Sequence, residues 1–338
     1  MPFSEKLIKG IHNPDDAFRH LFKPYRYRYA VVAATSKVPL GTSIFSRDWD
    51  VCILLDTCRV DAIRQISDKY SYVDGVDNIV SRGGSSPEWM AHSFRSAFQD
   101  ELENTAYITS NAWIEKVLED RLRPNDKYHN YRILSSLREN GEWDLIDPAE
   151  LGRLEKVWKY VPQEEKLGEE SDPKELRQGG APPRYVTDRA IAVGREFDYD
   201  RLILHYMQPH SPYTNRLRAG EKSEYFHKYP SDFLKEGGER EKVWNAYLDE
   251  LRYVLDDIEL LLSNIDADKV VISADHGEAF GEFGVYQHHS GSFHPKIRFV
   301  PWVVTSASDT GSYSPQTEPA EQTEVSADDQ LRALGYKM

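Results

Sequence analysis

Three short stretches of this chain end in residues that bind metals or carry protons. Asp56 closes the apolar run Val51-Cys52-Ile53-Leu54-Leu55. Asp275 and His276 close Val270-Val271-Ile272-Ser273, and His205 and His210 lie at the end of the run that starts at Arg201. Carboxylates and imidazoles at converging strand ends suit a divalent cation. Each has a plainer reading alone: Asp56 as a helix N-cap, Asp275-His276 as a polar turn, His210 as a surface histidine. Their shared position just past a buried strand favours one common site, because groups gather beyond the carboxyl ends of a parallel sheet.

The elements that must hold these residues are legible in outline. Val51–Leu55 is a continuous apolar run, as a strand buried on both faces requires. Arg59 to Lys69 reads as a helix with Val60, Ile63 and Ile66 on one face, and a second helix starts at Pro87 with Trp89, Met90, Phe94 and Phe98 as its stripe. Ala106–Thr109, Arg201–Tyr206, Val270–Ser273 and Phe299–Val304 read as strands, the last at a strand start or sheet edge because of Pro301. Apolar residues at helical spacing predict a long helix over 240–263. Residues 1–48 read as an irregular N-terminal arm, and 49–305 as the catalytic domain. Within that domain 115–160 is charged and helical in character. The exposed insertion continues to 183, where Gly-Gly-Ala-Pro-Pro ends it. Residues 306–338 read as a flexible linker and a short helix from Ala327 stopped by Gly335. Strands alternating with helices imply an α/β fold with a mostly parallel central sheet flanked by helices.

Composition narrows the partners. The 338 residues carry a formal net charge of -14, and 40% are hydrophobic, enough for a large core. An acidic surface repels polyanions, so nucleic acid is excluded as the expected partner, and an anionic substrate needs a locally positive site such as a bound metal. Cys52 and Cys58 do not make a disulfide framework. No apolar run reaches the ~18 residues of a membrane span, and the start MPFSEKLIKG lacks a signal-peptide core. The expectation is a cytoplasmic protein with no integral membrane segment.

Four segments resemble the alkaline phosphatase and sulfatase superfamily, most nearly its phosphoethanolamine and phosphoglycerol transferases and sulfatase-like hydrolases. They are ILLDTCRVDA (53–62), HYMQPHSPY (205–213), VVISADHGEAFGEFGVYQHH (270–289) and LRALGY (331–336). The resemblance implies an alkaline phosphatase-like fold, with Asp56, Asp275 and His276 as ligands of one metal ion: Zn, Mn or Mg, with Ca a further candidate. It places the nucleophile in Arg82-Gly83-Gly84-Ser85-Ser86-Pro87-Glu88-Trp89. Pro87 at the first helical position would make Ser86 the N-cap and leave Ser85 projecting ahead of the helix, where the dipole and free N–H groups favour an anion. Ser85 is therefore the preferred nucleophile and Ser86 the alternative.

His288 matches a histidine near a second metal or the leaving group, with His289 and His294 as neighbours. His210 matches a position that binds the second metal or the substrate. His210 and His288 are expected to frame the anion from opposite sides. Where two-metal relatives carry Asp and then His four residues on, this chain has His210 and Thr214, so the match stops short of a complete second site. Arg59, Arg82 and Lys296 are candidate anion holders.

The implied activity is a metal-dependent hydrolase or transferase acting on a phosphate ester or diester through serine. Its anionic substrate would be a cell-surface glycan, lipid or metabolite precursor. A sulfuric ester hydrolase is the alternative. Formylglycine formation, however, needs Cys/Ser-x-Pro-x-Arg, and Trp89 stands where that arginine would be. A non-catalytic binding protein that keeps the fold is the third reading, against which the intact Asp56, Asp275 and His276 weigh.

Overall fold

A computed structural model describes residues 31–32, 34–35, 39–122, 144–161, 180–319 and 326–336. Seven strands form one sheet: β1 (Val51–Leu55), β2 (Asp77–Val80), β3 (Thr105–Thr109), β4 (Arg153–Lys156), β5 (Arg201–Tyr206), β6 (Ala267–Ser273) and β7 (Phe299–Ala307), in the order β2-β7-β6-β1-β5-β3-β4. The five strands from β6 to β4 run parallel, and β7 is antiparallel to both β6 and β2. This is the mostly parallel α/β sheet that the alternating runs predict. All five residues of β1 and of β3 are buried, as central strands covered on both faces must be.

The main helices are α1 (Val60–Ile66), α2 (Ser86–Ser93), α3 (Pro183–Glu196), α4 (Arg240–Leu262) and α5 (Ala327–Ala333). Helix α4 packs against α3 and α1, burying Val243, Tyr247, Leu251, Val254, Leu255, Ile258 and Leu261. Each such side chain contributes about 1.5–3 kcal/mol on leaving water, an upper bound set by the extended-chain reference.

Register fixes the site. Leu54 pairs with His205 on one side and Ser273 on the other, and Thr109 also pairs with His205. The carboxyl ends of β6, β1, β5 and β3 are therefore level, and the residues just beyond them face one another.

Several readings of the sequence need correction. Residues 115–160 are not simply helical: within the described residues they hold one π-helical turn, Glu115–Glu119, two 3-10 turns, Pro148–Glu150 and Val157–Lys159, and the strand β4. Both β2 (DNIV) and β4 (RLEK) escape a hydrophobic-run reading because they are edge strands, where charge blunts the open ladder. Helix α3 is also hidden in the sequence. Its Pro-Pro start reads as loop, yet Pro183 suits the first turn, and Asp188 and Arg189 are buried by pairing.

Strand β7 is interior, not an edge. Pro301 is tolerated because its nitrogen and carbonyl point toward β6 beyond the last paired residues, Ile272 and Val303; the carbonyl accepts from Ser273 Oγ at 2.7 Å. Residues 306–319 are not a free linker. Asp188 accepts from the backbone N–H groups of Gln316 and Thr317 and from the Tyr313 hydroxyl, each at 2.9 Å, and Arg195 pairs with Asp309 through two N–H groups. Most of the N-terminal arm, most of the charged insertion and residues 320–325 lie outside the described residues. No described helix is long and apolar enough to cross a membrane.

Candidate functional site

The strand ends bring four ligand-type side chains together. Asp56, His205 and Asp275 are all fully buried, and one ligand atom of each lies within 4.8 Å of the other two. His276 Nε2 is 3.5 Å from Asp56 Oδ1 and 3.4 Å from Asp275 Oδ2. Its Nδ1 faces the Gly277 carbonyl at 3.0 Å; a carbonyl can only accept, so Nδ1 carries the hydrogen and Nε2 presents its lone pair to the cluster. Asp56 Oδ1, His205 Nε2 and Asp275 Oδ2 have no hydrogen-bond partner among the described residues. Three buried polar atoms without partners, aimed at one point, would be costly unless a cation satisfies them.

The electrostatics agree. Burial first, then the charges of Asp275 and Glu278, push the Asp56 carboxyl well above its ordinary range. Burial acts upward on Asp275 as well, and it is held low only where a neighbouring imidazole of His276 or His205 carries a proton toward it. Two such carboxylates resist ionising together, and one divalent ion would neutralise both. The donor set of carboxylate oxygens and imidazole nitrogens fits Zn or Mn, and Mg less well. His205 is the ligand-type residue of this cluster that the motif comparison misses. Its signal was its place at the end of an apolar run, like Asp56 and Asp275. Asn111, one strand further out, also went unread; its Nδ2 donates to Asp56 Oδ2 at 2.9 Å.

The two serines take the opposite parts from those expected. Ser85 is the N-cap, with extended backbone, and Ser86 opens α2. Proline fits the second helical position as well as the first, since the first N–H groups of a helix have no internal partner, so Pro87 does not force Ser86 to be the cap. This one-residue shift turns Ser86 inward, its Oγ 3.3 Å from both Asp56 Oδ2 and His276 Nε2. Ser85 Oγ instead bonds Ser290 Oγ at 2.6 Å. Buried Glu88 holds the loop by accepting from Gly84 N at 2.6 Å and Gly291 N at 3.0 Å. Gly84 permits this approach, because a Cβ there would lie 2.5 Å from the His289 carbonyl oxygen.

His288 and His210 reach the site but do not face each other across a cavity. Their rings touch edge to face, centroids 5.3 Å apart, and the His288 ring lies 4.3 Å from that of His276. No tetrahedral anion fits between rings in contact, so the expected framing from opposite sides is corrected. His288 Nδ1 meets Glu278 Oε2 at 3.2 Å. Burial pushes His210 down to about 3 and His288 to about 4, so neither is an imidazolium at neutral pH. His294 caps the turn at Lys296 and contacts the Glu282 carbonyl, a structural role.

The loop carrying His210 is tied down by Glu250, which accepts from Thr214 N and Asn215 N, both at 2.8 Å. Burial lifts this carboxyl to about 7 against the pull of those N–H groups. A carboxyl whose folded pKa is raised costs stability as pH rises from its unfolded value, ~4.3, through 7. The expected loss between pH 5 and pH 8 is roughly 3 kcal/mol, read from urea midpoints. Glu250→Gln should flatten that slope; an unchanged slope would assign it to other groups.

Two of the three cations, Arg59 and Lys296, are already paired with carboxylates, whereas Arg82 meets a neutral carbonyl. Arg59, 1% exposed, makes a two-pronged pair with Asp61 at 2.7 and 2.9 Å, and pairs with Glu282 at 2.8 Å. Lys296 pairs with the same Asp61 at 2.6 Å, and Arg82 donates to the His92 carbonyl at 3.0 Å. Asp61 lies two residues from Arg59 in the chain, whereas 235 residues separate it from Lys296, so sequence spacing could reveal only the first pair. Arg59→Ala should cost about 1–3 kcal/mol, measured by denaturant unfolding, because it removes charge-assisted hydrogen bonds and packing on Trp244 and Phe280 while Lys296 still pairs Asp61 and Arg240 still pairs Glu282.

The chain matches no protein-family model and no curated protein sequence. Solved structures of similar fold do exist. A candidate sulfatase from Bacteroides thetaiotaomicron is 11% identical with a TM-score of 0.43, over 85% of this chain and 70% of that one. The soluble domain of lipooligosaccharide phosphoethanolamine transferase A from Neisseria meningitidis is 14% identical with a TM-score of 0.42, over 80% of each chain. A protein of the alkaline phosphatase superfamily from Vibrio parahaemolyticus is 12% identical with a TM-score of 0.31, over 86% of this chain and 70% of that one. These likenesses concern the fold, and the superfamily that the sequence motifs resemble is among those named.

Proposed function

We propose that this chain is a metal-dependent enzyme that hydrolyses or transfers a phosphate ester, with Ser86 as the nucleophile. One observation carries the reading: a buried hydroxyl stands 3.3 Å from two members of a cluster whose inward atoms lack partners. Asp56, Asp275, His276 and His205 would hold the ion. When bound, it supplies positive charge that lowers the serine hydroxyl's pKa and offsets charge on the reacting ester.

Ser86 sits in the first turn of α2, where N–H groups and the helix dipole also favour the incoming anion. Ser86 Oγ gives up its proton and attacks phosphorus, the bond to the leaving alcohol oxygen breaks, that oxygen takes up a proton, and a phosphoserine forms. Water or a second alcohol then takes the phosphoryl group and restores the serine. The ester class comes from the motif resemblance, as does the suggestion of a glycan or lipid precursor as substrate.

The test is turnover of p-nitrophenyl phosphate, bis-p-nitrophenyl phosphate and p-nitrophenyl sulfate with Zn, Mn, Mg or Ca added, alongside mass spectrometry of the Ser86 peptide. Metal-dependent phosphoester turnover with phosphoserine at Ser86 is expected. Formylglycine at that position, or turnover of the sulfate ester alone, would replace this reading with the sulfatase one.

A further inference from the structure

The turn after α5 brings Tyr336 to the site. Helix α5 is anchored by buried Ala327 and Leu331 and by the Asp328–Lys116 ion pair at 2.5 Å. Gly335, at φ +85°, reverses the chain, and Tyr336 N donates to the Leu331 carbonyl at 3.1 Å. The turn aims the Tyr336 side chain back at the histidines. Its phenol oxygen lies 3.3 Å from His210 Nε2 and 3.4 Å from His288 Nε2. The ring stacks on His210 at an interplanar angle of 17° and meets Trp113 edge-on, centroids 5.3 Å apart.

We infer that Tyr336 is a positioning residue of this site, whose O–H sets the orientation of the His210 and His288 rings, and that α5 belongs to the catalytic unit because it delivers that hydroxyl. His210 Nδ1 bonds the Ser211 carbonyl, which only accepts, so its Nε2 carries a lone pair. His288 Nδ1 faces the Glu278 carboxylate, which leaves its Nε2 in the same state. Two acceptors thus converge on one phenol, which has a single hydrogen to give. The O–H serves one imidazole at a time, and the other nitrogen remains open to accept a hydrogen bond from an attacking water or alcohol. A ring held by stacking on one side and by an O–H at its tip presents that nitrogen in a fixed direction, which is what positioning contributes to rate.

The catalytic consequence rests on the ester-transfer reading; the geometric claim does not, so the test has two arms. The first is ¹⁵N NMR of the histidine side chains in Tyr336→Phe, which keeps the ring contacts with His210 and Trp113 and loses the hydroxyl with its hydrogen bonds. The Nε2 resonances of His210 and His288 should shift, while His92, bonded to the Arg82 carbonyl, should not. The second is bis-p-nitrophenyl phosphate turnover. Tyr336→Phe should lower kcat about tenfold with KM within about twofold, and Tyr336→Ala should lower kcat further. Unmoved resonances overturn the inference, and so does a shift with wild-type kcat, since orientation would then have no chemical effect. If the unsubstituted protein turns over no ester, the functional reading fails, and the NMR arm still decides where the hydroxyl acts.

Discussion

Ser86→Ala is expected to lower metal-dependent turnover by about a thousandfold or more, while Ser85→Ala changes it by less than about tenfold. The difference follows from one residue of helix register. Ser86 Oγ lies against Asp56 and His276, whereas Ser85 Oγ bonds Ser290 across a loop. Removing a nucleophile removes the covalent route, and what remains is charge stabilisation and binding. Removing the Ser85 hydroxyl loosens one contact between the 84–86 and 289–292 segments, which Glu88 still clamps through Gly84 and Gly291. Both variants should fold and bind metal as the parent does. A Ser85 variant that is dead beside an active Ser86 variant would mean that the described register is not the working one.

Chelation should destabilise the protein, and substitution of the ligands should remove that response. At a metal concentration about 100 times Kd, binding adds about 2.7 kcal/mol to stability, worth about 5 °C in Tm for a chain of this size. Asp275→Ala should abolish turnover and make Tm insensitive to chelator. Asp56→Asn should lose turnover too, but its metal-free form should be more stable than the metal-free parent. The reason is that Asp56 is the carboxyl that burial and its neighbours hold far above its ordinary range, and an amide carries no charge to bury. Thermal scans of the parent and both variants, with and without chelator, decide the matter. A parent whose Tm and activity ignore both chelator and added metal would remove the metal from this site.

His205 shows why a motif comparison leaves a site incomplete. Strand β5 was legible as an apolar run, but nothing in its sequence says that β5 lies beside β1 with His205 opposite Leu54. Tyr336 is a stronger case: 126 residues separate it from His210 in the chain, and 48 from His288. Arg59 and Lys296 fail in the other direction. Their charge suggested an anion site, and local acceptors claimed it instead.

The sequence alone determined the α/β class, the central strands and the placement of Asp56, Asp275 and His276 at strand ends. Hydrophobic periodicity and the preference for buried parallel strands are local or near-local signals. The tertiary structure decided which serine faces the cluster, that His205 completes it, that β7 is interior, and that Tyr336 returns to it. Those outcomes depend on strand order, on register and on which first-turn position a proline takes. Each is set by packing between segments far apart in the chain, where a shift of one residue turns a side chain from one partner to another.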